Sequence, residues 1–197
     1  KPPYTFGAVT QGFRLNAPKA GGVYRLLVYP KGAYILHMLR MLMWTPQTHD
    51  DEFKAMMQDF VTSNFNRDAS TEDFKRIVQK HMTKAMDMSG DGTIDWFFDQ
   101  WVYGSEVPAY TFDYSFADEG GKTMLIAKVT QSGVSDNFKM QVPVYLDFGK
   151  GWARLGQAPL VGNSSKEFKV ALPQRPKRAA ICALNDVLCT NLTTNAK

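Results

Sequence analysis

Histidine is rare in this chain: three residues, His37, His49 and His81, among 197. None lies in an H-E-x-x-H motif and no pair has the spacing of zinc ligands, so the chain read alone should hold no catalytic zinc. Cysteine is rarer still. Cys182 and Cys189 cannot build a disulfide framework, do not fix a redox compartment, and have no obvious histidine partner for thiol catalysis. Long apolar runs are missing too. The richest stretch, residues 33–44, falls short of the roughly 18–20 residues a membrane span needs, and it contains His37 and Arg40. Neither sign of charge prevails: 23 Lys and Arg face 19 Asp and Glu, and they are scattered. The one compact basic run, Arg175-Pro176-Lys177-Arg178, is short and contains a proline; it reads as a solvated loop, and no nucleic-acid partner is expected. G-x-S-x-G, phosphate-loop and dinucleotide motifs are absent, and Gly21-Gly22 reads as a plain turn.

What the chain does have is rings. With 13 Phe, 8 Tyr and 4 Trp it can fill a core without cross-links, which excludes wholesale disorder and collagen-like repeats. At about 100–200 residues per domain, its length fits one large domain or two small ones. It opens Lys1-Pro2-Pro3, with neither Met nor a signal-peptide pattern, and is read as an internal fragment or a processed product.

The apolar pattern changes near residues 104–108. Before that point apolar residues recur at i, i+3, i+4, i+7, the stripe of an amphipathic helix. Ile35, Met38, Leu39, Leu42 and Met43 mark the first helix; Leu36, Met41 and Trp44 on its other sides make it the most buried, and Pro46 ends it. Phe53, Met56, Met57, Phe60 and Val61 mark the second, with Asp50 or Asp51 as cap. Phe74, Ile77, Val78, His81 and Met82 mark the third, where Ser70 and Asp73 have the spacing of a capping box. Ile94, Phe97, Phe98, Trp101 and Val102 mark the fourth, stopped by Gly104. On these placements His81 reads as a hydrogen-bonded core histidine and His49 as a neighbour of a cap. His37 shares a side with Arg40, where a structural role is favoured over a functional one.

After Pro108 the period is two. Tyr110, Phe112, Tyr114 and Phe116 alternate with small and polar residues, then a turn at 118–121, then Leu125, Ala127 and Val129. A long strand runs from Phe138 to Phe148, with Pro143 pointing to an edge or a bulge. A short strand carries Phe168, Val170 and Leu172, and residues 180–183 and 187–190 form a last hairpin. If Asn185-Asp186 is its turn, Cys182 faces Cys189; a cross-strand disulfide and a reduced buried pair both fit. The expected architecture is α+β: a helical part of about four helices over residues 1–107, then an antiparallel, Ig-like β-sandwich over 108–197.

Asp87-Met88-Ser89-Gly90-Asp91-Gly92-Thr93-Ile94-Asp95 fits an EF-hand loop at several positions, but the twelfth place, normally a bidentate Glu, is Phe98. A polar turn whose Asp and Ser residues cap the fourth helix is the favoured reading, with weak calcium binding by Asp87, Ser89 and Asp91 as the minority one. Asn163-Ser164-Ser165 and Asn191-Leu192-Thr193 match glycosylation acceptors, triplets that arise often by chance.

Two stretches carry a family resemblance. The first is Val28-Tyr29-Pro30-Lys31-Gly32-Ala33-Tyr34-Ile35-Leu36-His37-Met38-Leu39-Arg40. The second is Ser70-Thr71-Glu72-Asp73-Phe74, followed by Asp95-Trp96-Phe97-Phe98-Asp99-Gln100-Trp101-Val102-Tyr103-Gly104. In order and spacing these resemble the later part of the catalytic domain of gluzincin zinc aminopeptidases, the aminopeptidase-N and leukotriene-hydrolase group. The resemblance covers about half the chain; beyond Pro108 it is positional. It implies a zinc site lying before Lys1, in an upstream half that this chain would pack with, and a peptide substrate. It also implies that Tyr29 matches the family tyrosine whose hydroxyl stabilises the tetrahedral intermediate, that Lys31 and Gly32 serve the helix start, and that the chain by itself is inert. Export to the periplasm or outside the cell is implied in the same way. The competing reading is a non-catalytic relative in which the chain is a protein-interaction or scaffold module.

Overall fold

The computed structural model describes residues 7–10, 24–25 and 27–197. The Gly21-Gly22 turn and the Lys1-Pro2-Pro3 opening lie outside the described residues. The chain divides into two compact units, Lys1–Ser105 and Glu106–Lys197.

In the first unit a wide π-helical turn, Leu27–Lys31, leads directly into helix α1, Gly32–Met43. Pro30 sits inside that turn. A proline ring clashes with the carbonyl four residues back and brings no N–H, so the widened turn relieves what a regular α-turn could not. Helix α1 buries Ile35, Met38, Leu39, Met41, Leu42 and Met43, as its near-continuous apolar run requires. Leu36, expected inside, is 37% exposed and falls in a line with Tyr29, Ala33 and Arg40 along the one open face. The helix closes with Trp44 N–H on Arg40 O before the chain turns extended.

Helix α2, Asp51–Ser63, starts after Asp50, but the Asp50 side chain makes no cap. Its carboxylate is held instead in the fork of the Arg40 guanidinium, Nε to Oδ1 at 2.9 Å and Nη2 to Oδ2 at 2.5 Å. Of the expected apolar stripe on α2 only Met56 is sealed; Val61 is 59% exposed. Helix α3, Thr71–Lys80, has the full capping box: Asp73 N–H donates to Ser70 Oγ at 3.1 Å and Ser70 N–H donates to Asp73 Oδ2 at 2.8 Å. It ends at Lys80, so His81 is its cap and Met82 lies beyond it. Helix α4, Asp95–Phe98, continues through a π-helical turn, Asp99–Tyr103, and its expected stripe, from Ile94 to Val102, is buried throughout. Rings at Phe60, Phe74, Phe98 and Phe97 follow one another at centroid distances of 5.1, 6.2 and 6.1 Å, knitting α2, α3 and α4.

The second unit is a sandwich of seven strands. They are β1 (Ala109–Glu119), β2 (Lys122–Ser132), β3 (Lys139–Asp147), β4 (Trp152–Val161), β5 (Ser165–Leu172), β6 (Arg178–Ile181) and β7 (Asn191–Ala196). One sheet has the order β5-β2-β1-β7, the other β4-β3-β6. The β1–β2 turn is Gly120-Gly121, both with positive φ, as a two-residue hairpin loop of this twist demands. Inward residues alternate as the sequence pattern predicts: Tyr110, Phe112 and Tyr114 on β1, Leu125, Ala127 and Val129 on β2. At one end of this core Tyr110 Oη donates to Gln131 Oε1 at 2.9 Å and Gln131 Nε2 donates to Gly162 O at 2.8 Å, a buried polar chain with every link made.

Two features depart from the sequence reading. Strand β4 is not among the expected strands; it carries Gly156 and Pro159, which strands avoid, and an edge position tolerates them. Pro143, expected at an edge or a bulge, is on the central strand of its sheet and takes the second place, with the register slipping next to it between Val144 and Tyr145. Finally, the last hairpin does not form. Strand β6 pairs antiparallel with β3, the chain then crosses to the other sheet, and β7 pairs parallel with β1. Asp186 is not in a turn between paired strands. Its buried carboxylate accepts from Tyr145 Oη at 2.5 Å and from Leu184 N–H at 3.2 Å, which fixes the crossing. Cys182 is buried, Cys189 half-buried, and both thiols are free. Burial pushes both thiols up.

Candidate functional site

The site grows from a junction in the helical unit. Lys31 closes the π-helical turn with its side chain buried, an expensive place for an ammonium unless it is hydrogen-bonded. It donates from Nζ to Gly7 O at 2.8 Å and to Gly104 O at 3.2 Å. Burial brings its pKa down to about 8. Beside it, Val9 N–H and Thr10 N–H both reach Val102 O, at 3.0 and 3.4 Å. The start of α1, the end of the α4 helix and the segment 7–10 therefore meet at one point. Gly104 belongs there on steric grounds: a Cβ on it would lie 2.5 Å from Gln100 O and 2.7 Å from Asp99 O. Gly32 is different, since the space around it is open.

Two residues before this anchor, Tyr29 stands out from the unit, 64% exposed, with the ring of Tyr24 edge-on at 6.2 Å. The phenol hydroxyl is thus offered outward from a turn whose other side is pinned. The second motif stretch is tied into the same frame. Tyr103 Oη donates to Glu72 Oε1 at 2.5 Å, and Lys75 Nζ lies 2.9 Å from Glu72 and 3.0 Å from Asp95. Glu72 and Asp95 hold the Lys75 ammonium well above its usual range; Lys75 and Tyr103 hold the Glu72 carboxyl below its own. Lys31 to Gly104 therefore couples the first motif stretch to the end of the second, and Tyr103 to Glu72 ties the two parts of the second stretch together.

The remaining sequence candidates have local partners of their own. The ring of His37 packs edge-on to Tyr34, and that of His49, at a positive φ, edge-on to Trp44. His81 Nε2 meets Asp59 Oδ2 at 2.8 Å, as a hydrogen-bonded histidine should. Lys80, His81 and Ser63 together hold the Asp59 carboxyl well below its ordinary range. Among the described residues, no three His, Cys, Asp or Glu side chains gather where they could hold a metal ion, so the residues present do not fit a zinc site. In the loop before α4, Asp87 accepts from the amides of Gly90, Asp91 and Gly92, and Asp91 accepts from Thr93. These carboxylates cap their own turn rather than α4, whose cap residue Ile94 offers no side-chain bond.

No protein-family model matches this sequence, and no curated protein matches it. Solved structures do. Legionella pneumophila aminopeptidase A, determined in complex with aspartic acid, matches 90% of this chain with a TM-score of 0.56 at 14% identity. The likeness is one of fold, to part of that aminopeptidase. The match takes in 18% of the Legionella chain, so this chain spans less than a fifth of that protein's length. Sequence reasoning singled out Tyr29 and assigned Lys31 to the helix start. It missed the depth of the Lys31 anchor, whose one signal is a lysine between Pro30 and the most apolar helix of the chain. It also missed the Glu72–Lys75–Asp95–Tyr103 network, of which the Glu72–Lys75 pair at i, i+3 on one helix was the available signal.

Proposed function

We propose that this chain is the later part of a zinc-dependent aminopeptidase of the gluzincin, aminopeptidase-N type, and that Tyr29 is the residue through which it acts on the peptide. The observation that carries this reading is the placement of Tyr29: an outward-facing phenol on a rigid turn, in a chain whose fold matches part of an aminopeptidase. Hydrolysis of a peptide bond passes through a tetrahedral species whose former carbonyl oxygen carries negative charge. A phenol O–H held in place before that charge develops stabilises it without reorganisation at the moment of reaction, and removal of one such donor costs about 10²–10³ in kcat. Tyr29 donates the hydrogen bond from Oη and keeps its proton; the bond strengthens as the oxygen charges, so the gain falls on the transition state rather than on substrate binding.

The zinc ligands, the general base and the pocket for the peptide amino terminus belong in this reading to sequence preceding Lys1. The chain alone is then inert. The test joins the chain to its natural upstream sequence and assays amino-acid anilides with Tyr29→Phe. A drop in kcat of about a hundred-fold or more with little change in KM is expected. An active parent indifferent to Tyr29→Phe removes the Tyr29 assignment, and a parent lacking the zinc motif leaves the chain as a non-catalytic interaction module.

A further inference from the structure

The side chain of Tyr29 is mostly in solvent, and its ring contact is with Tyr24, itself 41% exposed. The position of the phenol is therefore set by its backbone, and the backbone is set two residues on. Between Tyr29 and Lys31 stands Pro30, whose ring fixes its own φ and also narrows the choices of the residue before it. Few soft torsions separate the Tyr29 Cα from the Lys31 Cα, so displacement of one carries to the other. Lys31 is the point that cannot drift: its ammonium is fully buried and shared between the carbonyls of Gly7, 24 residues before it, and Gly104, 73 residues after it. A methionine would fill similar space but would donate nothing, leaving two carbonyls of the junction without this donor.

We propose that Lys31 is the positioning residue for Tyr29: by holding the carbonyls of Gly7 and Gly104 together, its buried ammonium fixes the proline-containing turn and with it the direction of the phenol. This rests on the reading of Tyr29 as the functional phenol, but its test reads geometry and not catalysis. The 197-residue chain is prepared with 4-fluorophenylalanine at position 29, a ring that does not titrate, and its fluorine resonance is recorded. In Lys31→Met the line should shift toward that of a solvent-averaged ring. In Val78→Ala, a core truncation in α3 that costs stability without touching the turn, it should stay where it was. An unchanged line in folded Lys31→Met overturns the proposal.

Should Lys31→Met fail to fold, the otherwise wild-type chain supplies the same test. The deprotonation of Lys31 is followed at its side-chain Cε carbon and is centred near pH 8. The neutral amine makes weaker hydrogen bonds than the ammonium, so the fluorine line at position 29 should move with the same midpoint. A line that stays flat while Lys31 titrates is the contrary result. Failure here would leave the peptidase reading standing, and failure of the anilide assay would leave the Lys31 geometry standing.

Discussion

The buried ammonium of Lys31 should make the helical unit gain stability as the solution becomes alkaline, against the usual trend. Burial lowers its pKa from 10.5 to about 8 in the fold, while the unfolded chain keeps the ordinary value. Below about pH 8 both states are protonated and the fold bears the whole cost of burying charge. Between about 8 and 10.5 the unfolded chain binds more protons than the folded one, so stability rises with pH through that window and levels off above it. At full weight the difference corresponds to about 3 kcal/mol; screening by solvent near the site reduces this to roughly 1–2 kcal/mol. Lys31→Met removes the effect while keeping nearly the same volume. The assay is urea denaturation of both proteins at a series of pH values, in a Trp152→Phe background so that Trp44, Trp96 and Trp101 report on the helical unit. Titrations common to both proteins cancel in the difference. The stability of the protein with its native lysine, measured relative to the Lys31→Met variant, should rise by roughly 1–2 kcal/mol from pH 7.5 to 10.5. Curves that run parallel, or a native protein that loses ground with rising pH, would refute the account of a charge buried at a cost.

Two further outcomes follow from local geometry. Ser70→Ala removes one half of the capping box on α3 and should lower the stability of the helical unit by about 1 kcal/mol, read as a shift in the denaturation midpoint with unchanged slope; no shift would mean that Asp73 alone suffices. Gly104→Ala must push a methyl group against the carbonyls of Gln100 and Asp99, and because those are backbone atoms the strain should cost about 1–3 kcal/mol. A variant as stable as the native protein would show that the end of the π-helical turn can relax, and with it the Gly104 carbonyl that Lys31 holds.

Much of the architecture was legible because single residues had one sensible place. The stripe from Ile94 to Val102, the Ser70–Asp73 box and the alternation from Tyr110 to Tyr114 each demanded the burial or cap that the structure provides. Strand β4 was illegible because Gly156 and Pro159 break its pattern and only its edge position tolerates them. The end of the sandwich misled for a different reason. Local spacing around Asn185-Asp186 favours a hairpin, but burial of Asp186 against Tyr145, 41 residues away, outweighs the local preference. In the candidate site, Tyr29 was singled out by the motif it shares with the resembled family, and the structure places it exposed ahead of helix α1. The partners of Lys31 were not, because Gly7 and Gly104 contribute only carbonyl oxygens, which every residue has.

The parallel pairing of β7 with β1 has a bearing on how the sandwich is made. Their partners are 82 residues apart, Ala109 with Asn191, so the flank of β1 stays open during synthesis until almost the whole unit has emerged. The helical unit also waits on distant partners, since Val9 N–H meets Val102 O and Lys31 meets Gly104 O. Loss of residues 191–196 would leave β1 with a free hydrogen-bonding edge, the kind of surface on which chains aggregate.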